Sequence, residues 1–176
     1  MTLNFKTRIY FGLLTLIFLG CGSYSFTGAS IPEGTKTFQV NFFENDAGNN
    51  IGSIFEPGID RDFTQALQNI LQNQTNLQLT SIDGDLVYEG EIIEYRVSPM
   101  TATSDLTASQ NRLSVVINVR FVNIKKEDDS FERRFSFYYD YPAEVQLLNI
   151  KSEAHDIIFE RITQDIFNAS LAKWWF

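Results

Sequence analysis

The sequence has one cysteine, Cys21, and one histidine, His155. Those two scarcities close several routes at once. A single thiol forms no internal disulfide, so stability has to come from a hydrophobic core. Nucleophilic catalysis by a thiolate and imidazole needs the two residues together, and ligation of zinc by sulfur and nitrogen needs a cluster of them. No GxSxG, P-loop or GxGxxG run occurs. Positive charge is the next shortage: 14 Lys and Arg face 22 Asp and Glu, a formal net charge of −8. That balance speaks against a nucleic-acid partner, because neutralising phosphates needs a basic face. It leaves room for a local basic patch.

Long apolar runs are rare too, and the one present is at the start. Lys6 and Arg8 are the only charges before Cys21, and Ile9–Gly20 carries none. A basic n-region followed by an apolar h-region is the pattern of a secretory signal peptide. The run is about a dozen residues, whereas a membrane-spanning helix takes roughly 20. It closes on Phe18-Leu19-Gly20-Cys21. This resembles a bacterial lipobox, with Gly20 and Cys21 in place and Phe18 where an aliphatic residue is usual. The competing reading, a buried core cysteine, sits poorly with the Gly- and Ser-bearing stretch that follows. The expectation is a signal peptide over 1–20, a palmitate-bearing lipid anchor on Cys21 with a tether to residue 36, and one domain over 37–176. A doubly or triply acylated cysteine holds a protein at a membrane surface, where one chain alone is marginal. Without Lys6 and Arg8 the remainder has 12 basic residues against 22 acidic ones, a net charge of −10. About 155 residues suffice for one core.

Periodicity gives the elements. Thr37–Phe42 alternates as a half-buried strand, and residues 44–58, rich in Asn, Gly and Asp, form a loop. Phe63, Ala66, Leu67, Ile70 and Leu71 make one helical stripe, with Asp60 and Asp62 in its first turn. Leu77–Ile82 and Leu86–Val97 flank Asp83-Gly84, a strong hairpin signal. The second run changes its apolar phase midway, which calls for a bulge near Gly90 or Ile92. Residues 98–110 are a Ser/Thr/Ala-rich connection. Leu113–Phe121 and Phe131–Tyr141 then alternate cleanly and read as a hairpin. Ile150, Ala154, Ile157, Ile158, Ile162, Ile166 and Ala169 mark a final helix. The fold class expected is α+β: two amphipathic helices on one face of a mostly antiparallel four-stranded sheet, the other face polar.

Chemistry-bearing residues are few. His155 reads as a surface or half-buried helix residue. Asp83-Gly84-Asp85 and Glu127-Asp128-Asp129 lack the ligand spacing of a calcium loop and read as solvated turns. Glu89, Glu91 and Glu94 share a strand on the polar face, a poor place for acid–base catalysis. Arg112, Arg120 and Arg134 take the outward phase of two pairing strands, with Arg96 near them. Either they contact phosphates or acidic sugars through forked hydrogen bonds, or they pair across strands with Glu89, Glu91, Glu132 and Asp140. Trp174-Trp175-Phe176 fits an interface anchor or the packing of a last helical turn equally well.

Taken together these stretches resemble one family. Cys21-Gly-Ser-Tyr24-Ser-Phe26 through Pro32 after a signal peptide is similar to the start of LptE-family lipoproteins. So are the Phe63–Leu71 helix, Asp83-Gly-Asp-Leu-Val-Tyr-Glu-Gly90, Glu94-Tyr-Arg-Val-Ser-Pro99, Asn111-Arg-Leu113, Asp165-Ile-Phe-Asn-Ala169 and Trp174. The resemblance implies two helices on a four-stranded sheet, a seat inside an LptD-like outer-membrane β-barrel, and help in folding that barrel and inserting lipopolysaccharide. It implies no enzyme and no cofactor, an outer-membrane location on the periplasmic face, and contact with lipopolysaccharide itself. No motif carries the family's lipopolysaccharide contacts over to this chain, so Arg112, Arg120 and Arg134 are the candidates for lipopolysaccharide or partner contact. The rival readings are a free-standing periplasmic lipoprotein that binds a small amphiphile and, last for want of a nucleophile, a hydrolase.

Overall fold

Residues 31–100 and 109–172 are described by the structure, a computed structural model. The elements are β1 (Thr37–Val40), β2 (Glu44–Asn45), α1 (Ile59–Gln74), β3 (Gln78–Leu79), β4 (Leu86–Met100), β5 (Gln110–Asn123), β6 (Phe131–Pro142) and α2 (Leu147–Leu171). Cys21, most of the 98–110 connection and Trp174-Trp175-Phe176 lie outside the described residues.

The long alternating runs became β4, β5 and β6, an antiparallel unit with Phe121 opposite Tyr88 on one side and Phe131 on the other. Alternation sends Leu113, Val115, Ile117, Val119 and Phe121 to the helix side, where all five are fully buried. The register of β4 slips between Ile92 and Glu94. The unpaired residue is thus Ile93, which lets Ile92 and Tyr95 both reach the core despite their odd spacing. Gly90, three residues earlier, is in register and has no room for a side chain, since a Cβ there would lie 2.0 Å from the Asn118 carbonyl oxygen and 2.9 Å from the Phe43 ring. The close approach of Asn118 and Phe43 requires glycine.

The expected four-stranded antiparallel sheet needs correction: the sheet is mixed and has six strands, ordered β3-β1-β4-β5-β6 with β2 beside β4. The expected Asp83-Gly84 hairpin is likewise not formed. β3 and β4 are not neighbours; β1 lies between them, parallel to both. Asp83 does turn the chain, at φ 52°. The reason for the insertion is a set of bonds from β1 to that turn. The Asp85 carboxylate accepts the N–H groups of Lys36 (2.8 Å) and Thr37 (3.1 Å). Gly84 donates to the Gln39 side chain at 3.2 Å, and a Cβ on Gly84 would sit 2.8 Å from the Gln39 nitrogen. β2 and the loop behind it then continue along the same edge of β4. Asp46 donates to Ile92 O, Ile54 to Tyr95 O, and the Ser53 hydroxyl takes the Tyr95 N–H at 2.7 Å. One edge of β4 is thereby closed.

α1 buries Ile59, Phe63, Leu67 and Leu71 and stops where Thr75 turns extended, its hydroxyl bonding Leu71 O at 2.6 Å. α2 buries Ala154, Ile158, Phe159, Ile162, Ile166, Phe167 and Leu171. Two residues of its expected stripe are on the other side, for Ala169 is exposed and Ile157 is 39% exposed. Both helices pack on the same face of the sheet. Phe43, Phe63 and Phe159 form an edge-to-face row between the loop and the two helices, with ring centroids 5.0 and 5.6 Å apart. Tyr88 passes under α2 and donates to Ser170 Oγ at 3.0 Å, pinning the end of the helix to β4.

Candidate functional site: the open face of the sheet

The face without helices presents the outward phase of β4, β5 and β6. Register aligns Glu89, Arg120 and Glu132 in one row, Glu91, Asn118 and Arg134 in the next, and Ser98, Arg112 and Asp140 near the far end. The three candidate arginines all lie on this face, as their phase requires, but they do not converge. Arg112 and Arg120 are eight residues apart on β5, roughly 27 Å along the strand.

Their environments differ. Arg112 grips Asp140 with two bonds of 2.7 Å and lies 3.6 Å over the Tyr138 ring. The Asp140 carboxylate raises the pKa of Arg112 above its ordinary value. Arg120 is paired with Glu89. Arg134, exposed, makes no ion pair among the described residues. Arg96 bonds Glu94 and the Ile51 carbonyl, each at 3.1 Å, while its buried Nε has no partner. Cross-strand pairing thus accounts for Arg112 and Arg120 and leaves Arg134 available.

His155, expected at the surface or half-buried, is a correction. Only 8% exposed, it meets the Tyr95 hydroxyl at 3.1 Å and packs against Phe159. Burial lowers its pKa, with Glu56 opposing that shift and Lys151 adding to it. Its neighbours in sequence, Ala154 and Asp156, gave no sign of a Tyr95 partner 60 residues away. Asp85 was read as a solvated turn residue; it holds β1, with its pKa drawn down to about 2, chiefly by the Lys36 N–H. The signal available in the sequence was its place after a turn beside two strand starts.

Between α1 and α2 runs an open groove of about 730 Å³ with mixed walls, amides and carboxylates such as Gln65, Asn69 and Asp156 alternating with Ala66, Ile70 and Phe159.

A family model described as LptE, lipopolysaccharide-assembly, matches residues 35–170. The chain belongs to the LptE family. It is accordingly a lipoprotein-type lipopolysaccharide-assembly factor and not an enzyme. In fold it is similar to a hypothetical protein from Chlamydia trachomatis, with TM-score 0.52, 10% identity, and 80% of this chain and 100% of that one covered. A protein from Xanthomonas campestris matches with TM-score 0.51 and 9% identity over 77% and 83% of the two chains. The rare lipoprotein B from Shewanella oneidensis matches with TM-score 0.44 and 12% identity over 74% and 89%. No curated protein matches in sequence.

Proposed function

We propose that this LptE-family chain is an outer-membrane lipoprotein, anchored through Cys21 on the periplasmic side, that plugs an LptD-like β-barrel, assists its assembly and serves the delivery of lipopolysaccharide. Membership over residues 35–170 is the observation that carries this reading. The open polar face supports it: a sheet face studded with Glu91, Asn118, Arg134 and Glu132 suits the polar interior of a barrel. A small-amphiphile carrier needs a deep apolar pocket, whereas the groove between the helices is open to solvent and mixed in lining.

Purification of the tagged chain from membranes tests the reading. A large β-barrel protein should come down with it, and depletion should lower correctly assembled barrel and surface lipopolysaccharide together. Unchanged barrel and unchanged surface lipopolysaccharide after complete depletion would remove the plug reading.

A further inference from the structure

β6 is the outer strand of the sheet, and its free side is long and regular. All of its residues, Phe131 to Pro142, pair with β5 in unbroken register. Which backbone groups point outward follows from two bonds. Ala143 donates to the Ser109 carbonyl at 3.0 Å, extending the register in which Gln110 opposes Pro142. On β5's other side Ile124 donates to the Asp85 carbonyl at 3.0 Å. Opposed residues of an antiparallel ladder alternate between exchanging bonds and facing away. The odd residues of β6 therefore bond to β5. Glu132, Arg134, Ser136, Tyr138 and Asp140 aim their N–H and C=O groups out of the sheet. Pro142, next in phase, has no N–H and ends the free edge. Proteins commonly blunt such an edge with a bulge, an internal proline, charged side chains or a covering loop. β4 has a covering loop; β6 carries charges at Glu132, Arg133, Arg134 and Asp140 but has no bulge, and no covering loop among the described residues.

We propose that the β6 edge pairs antiparallel with the β6 edge of a second copy of this chain, about a two-fold axis at Phe137. The proposal does not rest on the barrel-plug reading and concerns the chain outside a barrel, where the edge is open to a second copy. In this register the outward-bonding pairs are Arg134 with Asp140 and Ser136 with Tyr138, each twice. On the helix side Phe137 meets Phe137, Phe135 meets Tyr139, and Arg133 meets Tyr141. Shifting the axis to Ser136 places Glu132 against Asp140, and like charges directly opposed destabilise a sheet. Arg134, which makes no ion pair among the described residues, then meets an Asp140 that Arg112 of its own copy already holds, so the three charges join in one network across the seam.

A second row is complementary in the same sense. Glu153 accepts the Tyr139 hydroxyl at 3.0 Å and Arg161 lies 5.8 Å over the Phe137 ring, so both stand above β6. Ile157, 39% exposed, is midway between them on the same helical row. Helices related by the two-fold run antiparallel, which sets Glu153 toward Arg161 and Ile157 toward Ile157.

The test uses the full mature lipoprotein in detergent, its mass followed across concentration by sedimentation equilibrium. A concentration-dependent dimer is expected. Arg134→Glu sets carboxylates opposed twice per dimer and should weaken association by about ten-fold or more. Ser136→Pro removes an outward N–H that the β5 ladder does not use, a position where an edge strand tolerates proline, and should abolish the dimer. Near-UV circular dichroism of both variants checks that the fold is intact, and Ser136→Thr should dimerise as the parent does. A chain that stays monomeric throughout, or a dimer indifferent to Arg134→Glu and Ser136→Pro alike while both remain folded, overturns the proposal. A photo-crosslinker at Tyr138 in cells adds the last arm. Capture of a second copy supports the pairing, whereas capture of a barrel protein alone assigns the edge to that partner and overturns it.

Discussion

Asp85 shows how much a single side chain can organise. One oxygen accepts the backbone N–H groups of Lys36 and Thr37 and the Thr37 hydroxyl, and the other faces the Lys125 ammonium at 3.1 Å. These donors favour the carboxylate and outweigh its partial burial, so its pKa falls from 3.8 to about 2. A group with a depressed folded pKa contributes stability above its ordinary pKa and loses it as pH falls through the folded one. That contribution should be whole at neutral pH and fade between about pH 4 and pH 2. His155 acts in a higher window with the same sign. Burial depresses its pKa below the ordinary 6.5, so below that value the unfolded chain takes up a proton that the folded one resists. Urea midpoints measured from pH 7 to pH 2 should therefore decline in two stages. Asp85→Asn should flatten the lower stage and His155→Phe the upper. Parallel curves for parent and variants would mean that neither group is tied to the fold in this way.

At the scale of the elements, the apolar stripes carry the stability. Leu67 and Ile162 are fully buried in the core, one on each helix, and truncating either to alanine leaves a cavity there. Each change should cost about 2–5 kcal/mol in urea unfolding; an unmoved midpoint would place that residue outside the core. Those stripes, and the alternation of β5 and β6, were legible because period and burial coincide there. The existence of a bulge was legible from the phase change in the strand, which left Gly90 and Ile92 as alternatives; the slip is at Ile93, beside the second. The position of β1 was not. Asp83-Gly84 between two apolar runs carries the local signature of a hairpin, and nothing local reveals that Asp85 and Gly84 bond to residues 36–39. β2 and β3, two residues each, are too short to show a period. The open-face arginines were legible by phase. Their partners followed from cross-strand register, which made Asp140 and Glu89 foreseeable, whereas the Tyr95–His155 contact joins a strand and a helix with no local pattern linking them.

For the whole molecule, the two proposed attachments, lipid at Cys21 and barrel at the open face, separate experimentally. Cys21→Ser should release the chain from membranes or leave it unprocessed, as read by fractionation and by mass spectrometry of the mature N-terminus. Its open face should be unaffected. The face is probed by charge reversal at Arg112, Arg120 and Arg134, and the three will not behave alike. Arg120 and Arg134 are exposed, and surface pairs are worth about 0–1 kcal/mol, so reversing both should lower the unfolding midpoint only modestly, mostly through Arg120→Glu, which sets a third carboxylate between Glu89 and Glu132. Reversing Arg112 also removes a two-bonded partner from Asp140 and a stacked guanidinium from Tyr138, so a larger loss is expected there and Arg112→Gln is the cleaner change. Without residues 1–20 the chain has a net charge of −10, which repels phosphorylated lipopolysaccharide at long range unless local cations offset it. If lipopolysaccharide meets this face, Arg120→Glu with Arg134→Glu should weaken binding strongly at low salt and little at high salt, where charges are screened. If the face meets only the barrel, the same pair of changes should lower co-purified barrel while lipopolysaccharide binding by the isolated chain stays as it was. Wild-type behaviour in both measurements would leave the arginines as ordinary cross-strand partners and move the contact surface off the sheet.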